Sequence, residues 1–236
     1  MMVTTNVIRL HEDLETSPLF SGLAERQVSE VISRGHRRVV PGGGTLFNCG
    51  EPADQFFLVV EGAVKLFRAM SNGHVVVVRI IRPGEPFAAC SVVGRPDATY
   101  PVTARAWMDV TVLAWSRGTM SSELRRLPTL QYNLLQLVSQ YQDQTVDRLC
   151  ESSTQPVAQR LAHCLLRLAD QASIPTTDGL QLRDPLTRQE LAEFCGTTLH
   201  TVSRLLAQWE RDGLVRVGRC RVTLASTKRL QLLSMQ

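Results

Sequence analysis

Between Arg37 and Trp115 the chain alternates short apolar runs with turn signals. Pro41-Gly42, Gly50-Glu51-Pro52, Glu61-Gly62, Asn72-Gly73 and Arg82-Pro83-Gly84 recur roughly every 8 to 12 residues. The runs between them, such as Phe56-Phe57-Leu58-Val59-Val60 and Val75-Val76-Val77-Val78-Arg79-Ile80, are β-branched or aromatic and have strand composition. This pattern predicts an all-β barrel or double-stranded β-helix (jelly roll) of about eight strands.

After Ser116, a fitting N-cap, the turn signals stop. From Thr129 to Leu149 the pattern is helical, with Leu130, Leu134, Leu137 and Tyr141 at the spacing of a coiled-coil seam. One alternative is a single amphipathic helix packed on its own barrel. Leu135 and Val138 widen the apolar surface, however, and the favoured reading of the four seam residues is a homodimer contact. The polar stretch Glu151-Ser152-Ser153-Thr154 predicts a break, and Pro156 suits the first turn of a new helix bearing Val157, Leu161, Leu165 and Leu168 on one face. The division expected is therefore 1–128, 129–152 and 153–236, an α+β chain.

The densest set of signals begins at Thr187. Thr187-Arg188-Gln189-Glu190 is a capping box, followed by a short helix with Leu191 and Phe194 inward and a turn at Cys195-Gly196. Thr198 caps a second helix in which Leu199, Val202, Leu206 and Trp209 are expected to bury, and Gly213 ends it. The other face carries His200, Thr201, Ser203, Arg204 and Gln208, all able to hydrogen-bond and none acidic. A merely solvated face would be expected to carry acidic groups as well. Two such helices about a glycine turn predict a helix-turn-helix, with the second helix in the major groove. The segment Leu214–Leu224 then reads as a hairpin wing carrying Arg216, Arg219 and Arg221. Arg204 has the two parallel donors that suit guanine O6 and N7, and Ser203 and His200 suit neighbouring bases. Thr187, Thr198, Arg188 and the wing arginines suit phosphate.

Composition narrows the class. The chain has 236 residues, 44% hydrophobic and 20% charged, which excludes disorder and collagen-like or coiled-coil-only architectures. No apolar run approaches the roughly 18 residues of a membrane span and no signal-peptide pattern opens the chain, so a cytoplasmic protein without a membrane partner is expected. The net charge is +4, and residues 186–236 hold eight Lys or Arg against four Asp or Glu. All the excess positive charge thus lies in the last fifth, which points to a polyanion such as double-stranded DNA. The six cysteines form no C-x-x-C pair, so a zinc ribbon or disulfide scaffold is not expected, and each reads best as a small buried hydrophobe. The barrel has no paired metal-ligand histidines and no nucleophile-base motif, which argues against an enzyme. A small-molecule-binding adaptor engaging a protein through the basic block is the competing class.

The stretches GTTLHTVSRLL (Gly196 to Leu206) and WERDGLV (Trp209 to Val215) resemble the recognition region of the cyclic-AMP receptor protein and fumarate-nitrate reductase regulator (CRP/FNR) family. The barrel, long helix and winged domain follow in that family's order. The resemblance implies a sensory β-roll, a dimerisation helix with its hinge at 151–154, and a winged helix-turn-helix. It implies a homodimer on a pseudo-palindromic operator, contact with RNA polymerase, and control by a small-molecule or gas effector. Ser203-Arg204 looks like the oxygen-responsive branch, where a glutamate stands in the place of His200. Cyclic-nucleotide members hold ribose and phosphate with Glu and Arg-Ser or Arg-Thr; this chain has Ala88-Ala89-Cys90-Ser91 and Thr99-Tyr100-Pro101 there, with Arg95 or Arg105 as the remaining substitutes. Residues 1–48 hold no cysteine, so no iron-sulfur cluster is expected. Gly84 to Ala88 and Pro101 to Ala104 are similar to the nitric-oxide-responsive, haem-binding group. The candidate haem ligands are His11, His36, His74, Cys49 and Cys90. Direct cysteine oxidation competes with haem.

Overall fold

The computed structural model describes Leu14, residues 17–71 and residues 73–235. The chain divides into two compact units, Met1–Arg68 with Val78–Gln144, and Ala69–Val77 with Thr145–Gln236. After a 3-10 turn at Pro18–Phe20 come helix α1 (Glu25–Ser33) and strands β1 (His36–Val40), β2 (Thr45–Phe47), β3 (Gln55–Glu61), β4 (Val64–Ala69), β5 (Val75–Ile81) and β6 (Pro86–Phe87). A short helix α2 (Cys90–Val93), β7 (Thr103–Ala106), β8 (Val110–Ser116), α3 (Arg117–Arg126) and the long α4 (Pro128–Thr154) follow. The strands make two four-stranded sheets, ordered β1-β8-β3-β6 and β2-β7-β4-β5, which is the expected jelly roll.

The centres of β3 and β8 are continuously buried, as expected where both faces of a sheet are covered. Successive side chains on a strand point to opposite sides. Phe56, Leu58 and Val60, with Leu113 and Trp115, therefore join a cluster with α1, α3 and α4. Phe57 and Val59, with Val112 and Ala114, join the cluster inside the roll. The β3–β8 register, Phe57 opposite Ala114 and Leu58 opposite Leu113, keeps both sets in phase. Gly62 closes the following turn at φ 81°, where an added Cβ would lie 2.1 Å from the Asp109 carbonyl oxygen. Only glycine fits there. The helical layer is fastened by polar contacts: Trp115 Nε1 donates to Val31 O at 2.8 Å. The fully buried Glu123 accepts from Arg34 and, at 2.6 Å, from Arg126, which also reaches Glu30 at 2.8 Å.

The long helix corrects two expectations. Leu130, Leu134 and Leu137 are buried against this chain's own Phe56, Leu113 and Trp115, so they are core and not a dimer seam. Tyr141 packs beside them beneath Arg79, whose guanidinium stacks 3.5 Å from the ring centre while its Nη2 donates to Glu85 Oε1 at 2.9 Å. Burial pushes the Tyr141 phenol up to about 12. The apolar side chains left outside on α4 are Tyr132, Leu135, Val146 and Leu149. The second correction concerns 151–154, which stay helical. The hydroxyls of Ser152 and Ser153 both donate to Leu149 O, and that of Thr154 donates to Cys150 O, each at 2.8 Å. Such back-bonding satisfies polar side chains without leaving the helix, and the chain turns only at Gln155-Pro156.

The second unit holds α5 (Val157–Gln171), β9 (Ser173–Thr176), β10 (Gly179–Leu182), α6 (Arg188–Cys195), α7 (Leu199–Arg211), β11 (Val215–Gly218), β12 (Arg221–Leu224) and α8 (Thr227–Ser234). Its strands form one sheet, β11-β12-β10-β9. Leu161, Ala162, Cys164, Leu165, Leu168 and Ala169 make the buried side of α5, which packs on α6 and α8. Leu130→Ala is expected to lower the unfolding free energy by about 2–5 kcal/mol in urea melts, with the oligomeric state unchanged; wild-type stability would overturn its place in the core.

Candidate nucleic-acid interface

α6 and α7 begin where their capping residues dictate. The Thr187 hydroxyl accepts from Glu190 N at 3.1 Å, and Glu190 Oε2 accepts from Thr187 N at 3.0 Å, so the capping box is complete. Gly196, at φ 59° and ψ 48°, ends α6 in the left-handed conformation and starts the turn. Thr198 Oγ1 then accepts from Thr201 N at 3.2 Å to cap α7. The buried stripe of α7 is Val202, Leu205, Leu206 and Trp209. Leu199 is 41% exposed, contrary to expectation: Leu205 completes the stripe in its stead, and Leu199 stands at the helix mouth. Phe194 is likewise only half-buried, and Cys195 takes the inward position beside Leu191 and Ala192.

With that stripe inward, the opposite face is outward. His200 and Arg204 are exposed and Ser203 is half-exposed. Among the described residues, none hydrogen-bonds or ion-pairs with the side chains of His200, Ser203, Arg204 or Arg188, which leaves their donors for an external ligand. The threonines differ. Thr187 Oγ1 also donates to Glu190 Oε2 at 2.9 Å, and the hydroxyls of Thr198 and Thr201 are 3.0 Å apart, so all three are committed to helix caps. In the wing, Arg216, Arg219 and Arg221 are exposed, and Arg216 lies 3.2 Å from Asp178 Oδ1. Thr187, Arg188, Leu199, Arg219 and Arg221 line one open groove of about 570 Å³. Gln189 lines it too and had escaped the pattern reading, although its place in the first turn of α6 beside Arg188 is a usable signal. Exposed Leu199 is the other missed residue; a fourth apolar residue beside an already complete stripe is the clue.

In the roll, the positions that matter to a cyclic nucleotide are otherwise employed. Tyr100 is buried, stacked on Phe47 at 3.7 Å between ring centres. Its hydroxyl accepts from Gln55 N at 3.0 Å and donates to Gln55 O at 3.1 Å. Ala88 and Ala89 bring no carboxylate. Arg95 is exposed beside Asp97, and Arg105 is exposed over the Phe67 ring, so neither substitutes for a buried phosphate ligand. Of the candidate haem ligands, His36, His74 and Cys49 are exposed and His11 lies outside the described residues. Cys90 is half-buried, and burial pushes its thiol up, against the thiolate a haem iron needs. Among the described residues that donor set does not fit a haem. Among the described residues no cluster of His, Cys, Asp and Glu is placed to hold a metal ion, and no helix is long and apolar enough to cross a membrane. The cysteines are mostly not buried hydrophobes either: Cys49, Cys150 and Cys220 are exposed, and only Cys164 and Cys195 are fully inside.

Comparison with known proteins agrees with this geometry. Residues 159–233 match the Crp-like helix-turn-helix domain and residues 37–126 the cyclic nucleotide-binding domain. The chain is 32% identical to the cyclic AMP receptor protein of Thermus thermophilus over 87% of its own length and 91% of that protein. It is 31% identical to the global nitrogen regulator of Synechococcus elongatus over 77% of its length and 82% of that protein. Its fold matches the c-di-GMP-responsive global regulator CLP of Xanthomonas campestris at a TM-score of 0.77 and 20% identity, covering 86% of this chain and all of that one. These relatives span different signals and do not single out the nitric-oxide or oxygen branch. By its cyclic nucleotide-binding and Crp-like helix-turn-helix domains and its identity to these relatives, the chain belongs to the CRP/FNR family of DNA-binding transcription regulators.

Proposed function

We propose that the protein acts as a homodimer on a pseudo-palindromic operator, with α7 of each copy in a major groove and half-sites about one helical turn apart. The observation that carries this is the face of α7 on which His200, Ser203 and Arg204 have no side-chain partner among the described residues while Val202, Leu205, Leu206 and Trp209 lock the other face inside. Arg204 reads guanine through O6 and N7, and Ser203 an adjacent base. His200 offers a ring N–H to a purine acceptor, where a glutamate would accept from cytosine. Arg188, Arg219 and Arg221 hold phosphate. Arg216 does so after release from Asp178, and Thr187, Thr198 and Thr201 act through the helix starts they cap.

The dimer contact is the outer side of α4. Tyr132, Leu135, Val146 and Leu149 are exposed and fall at heptad positions of one face, with Ser139 and Gln142 between them. The residues first expected there are spent on the roll. RNA polymerase is the further partner that such a regulator engages. Control enters by an effector other than a cyclic nucleotide, since a buried phosphate without a cation is costly and Tyr100 stands where the cation is needed. Haem-based nitric oxide sensing lacks fitting ligands in the roll, so direct thiol oxidation is the favoured signal. The adaptor reading leaves the unpartnered donors of α7 without a role.

Arg204→Ala is expected to cost about 1–3 kcal/mol of discrimination between the selected duplex and random DNA by fluorescence anisotropy, with the fold intact by circular dichroism; undiminished discrimination removes Arg204 from base reading. Leu135→Glu should convert the dimer to monomer in sedimentation velocity, and a variant that still sediments as a dimer places the interface elsewhere. Calorimetric titration with cyclic AMP should give no saturable heat, whereas stoichiometric binding would return the roll to the cyclic-nucleotide class.

A further inference from the structure

One arginine joins the ends of two helices inside the DNA-binding unit. Arg160, in the first turn of α5, donates from Nη1 to Gln155 O at 2.9 Å and from Nε to Cys195 O at 3.1 Å. Gln155 follows Thr154, the last residue of α4, and its own amide still donates to Glu151 O at 3.0 Å in helical fashion. Cys195 is the last residue of α6. Both carbonyls are therefore C-terminal ones, which have no partner along their own helices. Both also stand at the negative end of a helix dipole, a favourable place for a guanidinium. Donors held in one rigid plane fix a distance as well as a charge, which the single flexible ammonium of a lysine does not.

The tie reaches the turn that aims α7. Cys195 leads directly into Gly196, left-handed at φ 59°, and α7 begins at Leu199. Thr197 N donates to Ala192 O at 3.0 Å, so the turn is bonded to α6 on one side while its leading carbonyl is held by α5 on the other. α5 grips the last turn of α4 a second time: Arg167 Nη1 donates to both carboxylate oxygens of the largely buried Glu151, at 2.6 and 2.9 Å. Between α4 and α5 lie only Gln155 and Pro156, and the proline ring fixes its own φ. The tail of α4 from Thr145 onward belongs to the same compact unit as α5, α6 and α7. Val146 and Leu149, assigned above to the dimer contact, lie on that tail. The path from the contact between copies to the reading helix thus runs through Arg160.

We propose that Arg160 is a positioning residue for DNA recognition: by tying Gln155 O to Cys195 O it sets the angle of α7 against the tail of α4, and so determines the half-site spacing that the homodimer accepts. The statement rests on the dimer and α7 readings above. In a two-fold dimer both reading helices enter the major groove only when their separation matches that of the half-sites. One added base pair moves the second half-site by about 3.4 Å along the axis and by roughly a tenth of a turn around it. A stiff tie excludes that duplex, because either the tail of α4 or the turn at Gly196 has to yield. Without the guanidinium the two carbonyls are left to water and the constraint is gone. The stripe Val202, Leu205, Leu206 and Trp209 still holds α7 in its rotation, so each copy keeps its reading face.

The test compares the full wild-type chain with Arg160→Ala and Arg160→Lys on the duplex recovered by selection from a random-sequence library, on the same duplex with one base pair added or removed between the half-sites, and on a duplex with a single half-site. Anisotropy reads affinity, sedimentation velocity the dimer and circular dichroism the fold. Both variants are expected to be folded and dimeric, to bind the single half-site as the wild type does, to lose roughly 5- to 150-fold on the selected duplex, and to lose the preference for its spacing. Wild-type spacing preference in either folded variant would overturn the proposal; in the lysine variant it would assign the effect to charge alone. An equal loss on the single half-site and the full site would also overturn it, making Arg160 a support of α6 and α7 and nothing more. If Arg160→Ala does not fold, Arg160→Lys decides; if neither folds, the residue belongs to the core and the proposal falls. A wild-type chain that binds as a monomer or is indifferent to spacing overturns the homodimer reading and this proposal with it, whereas selectivity kept by a variant overturns this proposal alone.

Discussion

Burial of Val202, Leu205, Leu206 and Trp209 fixes the rotation of α7 about its own axis, and with it the direction of every polar group the helix offers. Each fully buried side chain of this size contributes about 1.5–3 kcal/mol. Turning the helix by one residue so that Thr201, Arg204, Leu205 and Gln208 faced inward would draw Arg204 toward the core and expose Leu206 and Trp209, and an unpaired buried guanidinium is far costlier than the contacts regained. The outward placement of His200 and Arg204 is therefore set by hydrophobic burial on the opposite side. The Thr198 cap and the left-handed Gly196 fix the axial start of the same helix. Rotation and start together fix what DNA meets.

The same partition governs α4, with a different consequence. The β3–β8 sheet has two apolar faces, and only one can look into the roll. The other needs cover, which α1, α3 and the inward stripe Leu130, Leu134 and Leu137 provide. A helix of this length has apolar residues to spare, and among those left outside are Leu135 and Leu149 at 51% and 65% exposure. Exposed apolar residues at heptad spacing mark a surface that another helix covers. Burial within the chain thus determines which phase of the heptad remains outside.

Much of this was legible in the residues. The turn signals marked eight strands, the Thr187–Glu190 box and Gly196 placed α6 and its turn, and the arginines of 216–221 marked the wing. The misreadings have physical causes. Periodicity reveals a stripe on α4 but not its partner, and the sheet that claims Leu130 and Leu134 is distant in sequence. Residues 151–154 looked like a break because serine and threonine favour caps and turns, yet their hydroxyls bond back to Leu149 and Cys150 and leave the helix whole. β9 and β10 escaped because they are short and half exposed, without the alternation that a one-sided strand shows. Leu199 was assigned to the core by spacing alone; Leu205 competes for the same place and is nearer the centre of the stripe.

Phe47, Phe57 and Tyr100 line a cleft of about 320 Å³ in the roll and are themselves packed ring to ring. Tyr100 stacks on Phe47 and spends its hydroxyl on both backbone groups of Gln55, and Phe57 stacks on Phe87 at 5.0 Å. Arginine in the place of Tyr100 would forfeit the stack and bring a charge next to the Phe47, Phe57 and Phe87 rings, tolerable only when a bound anion neutralises it. Such a site is unstable when empty, whereas the aromatic one needs no ligand to be complete.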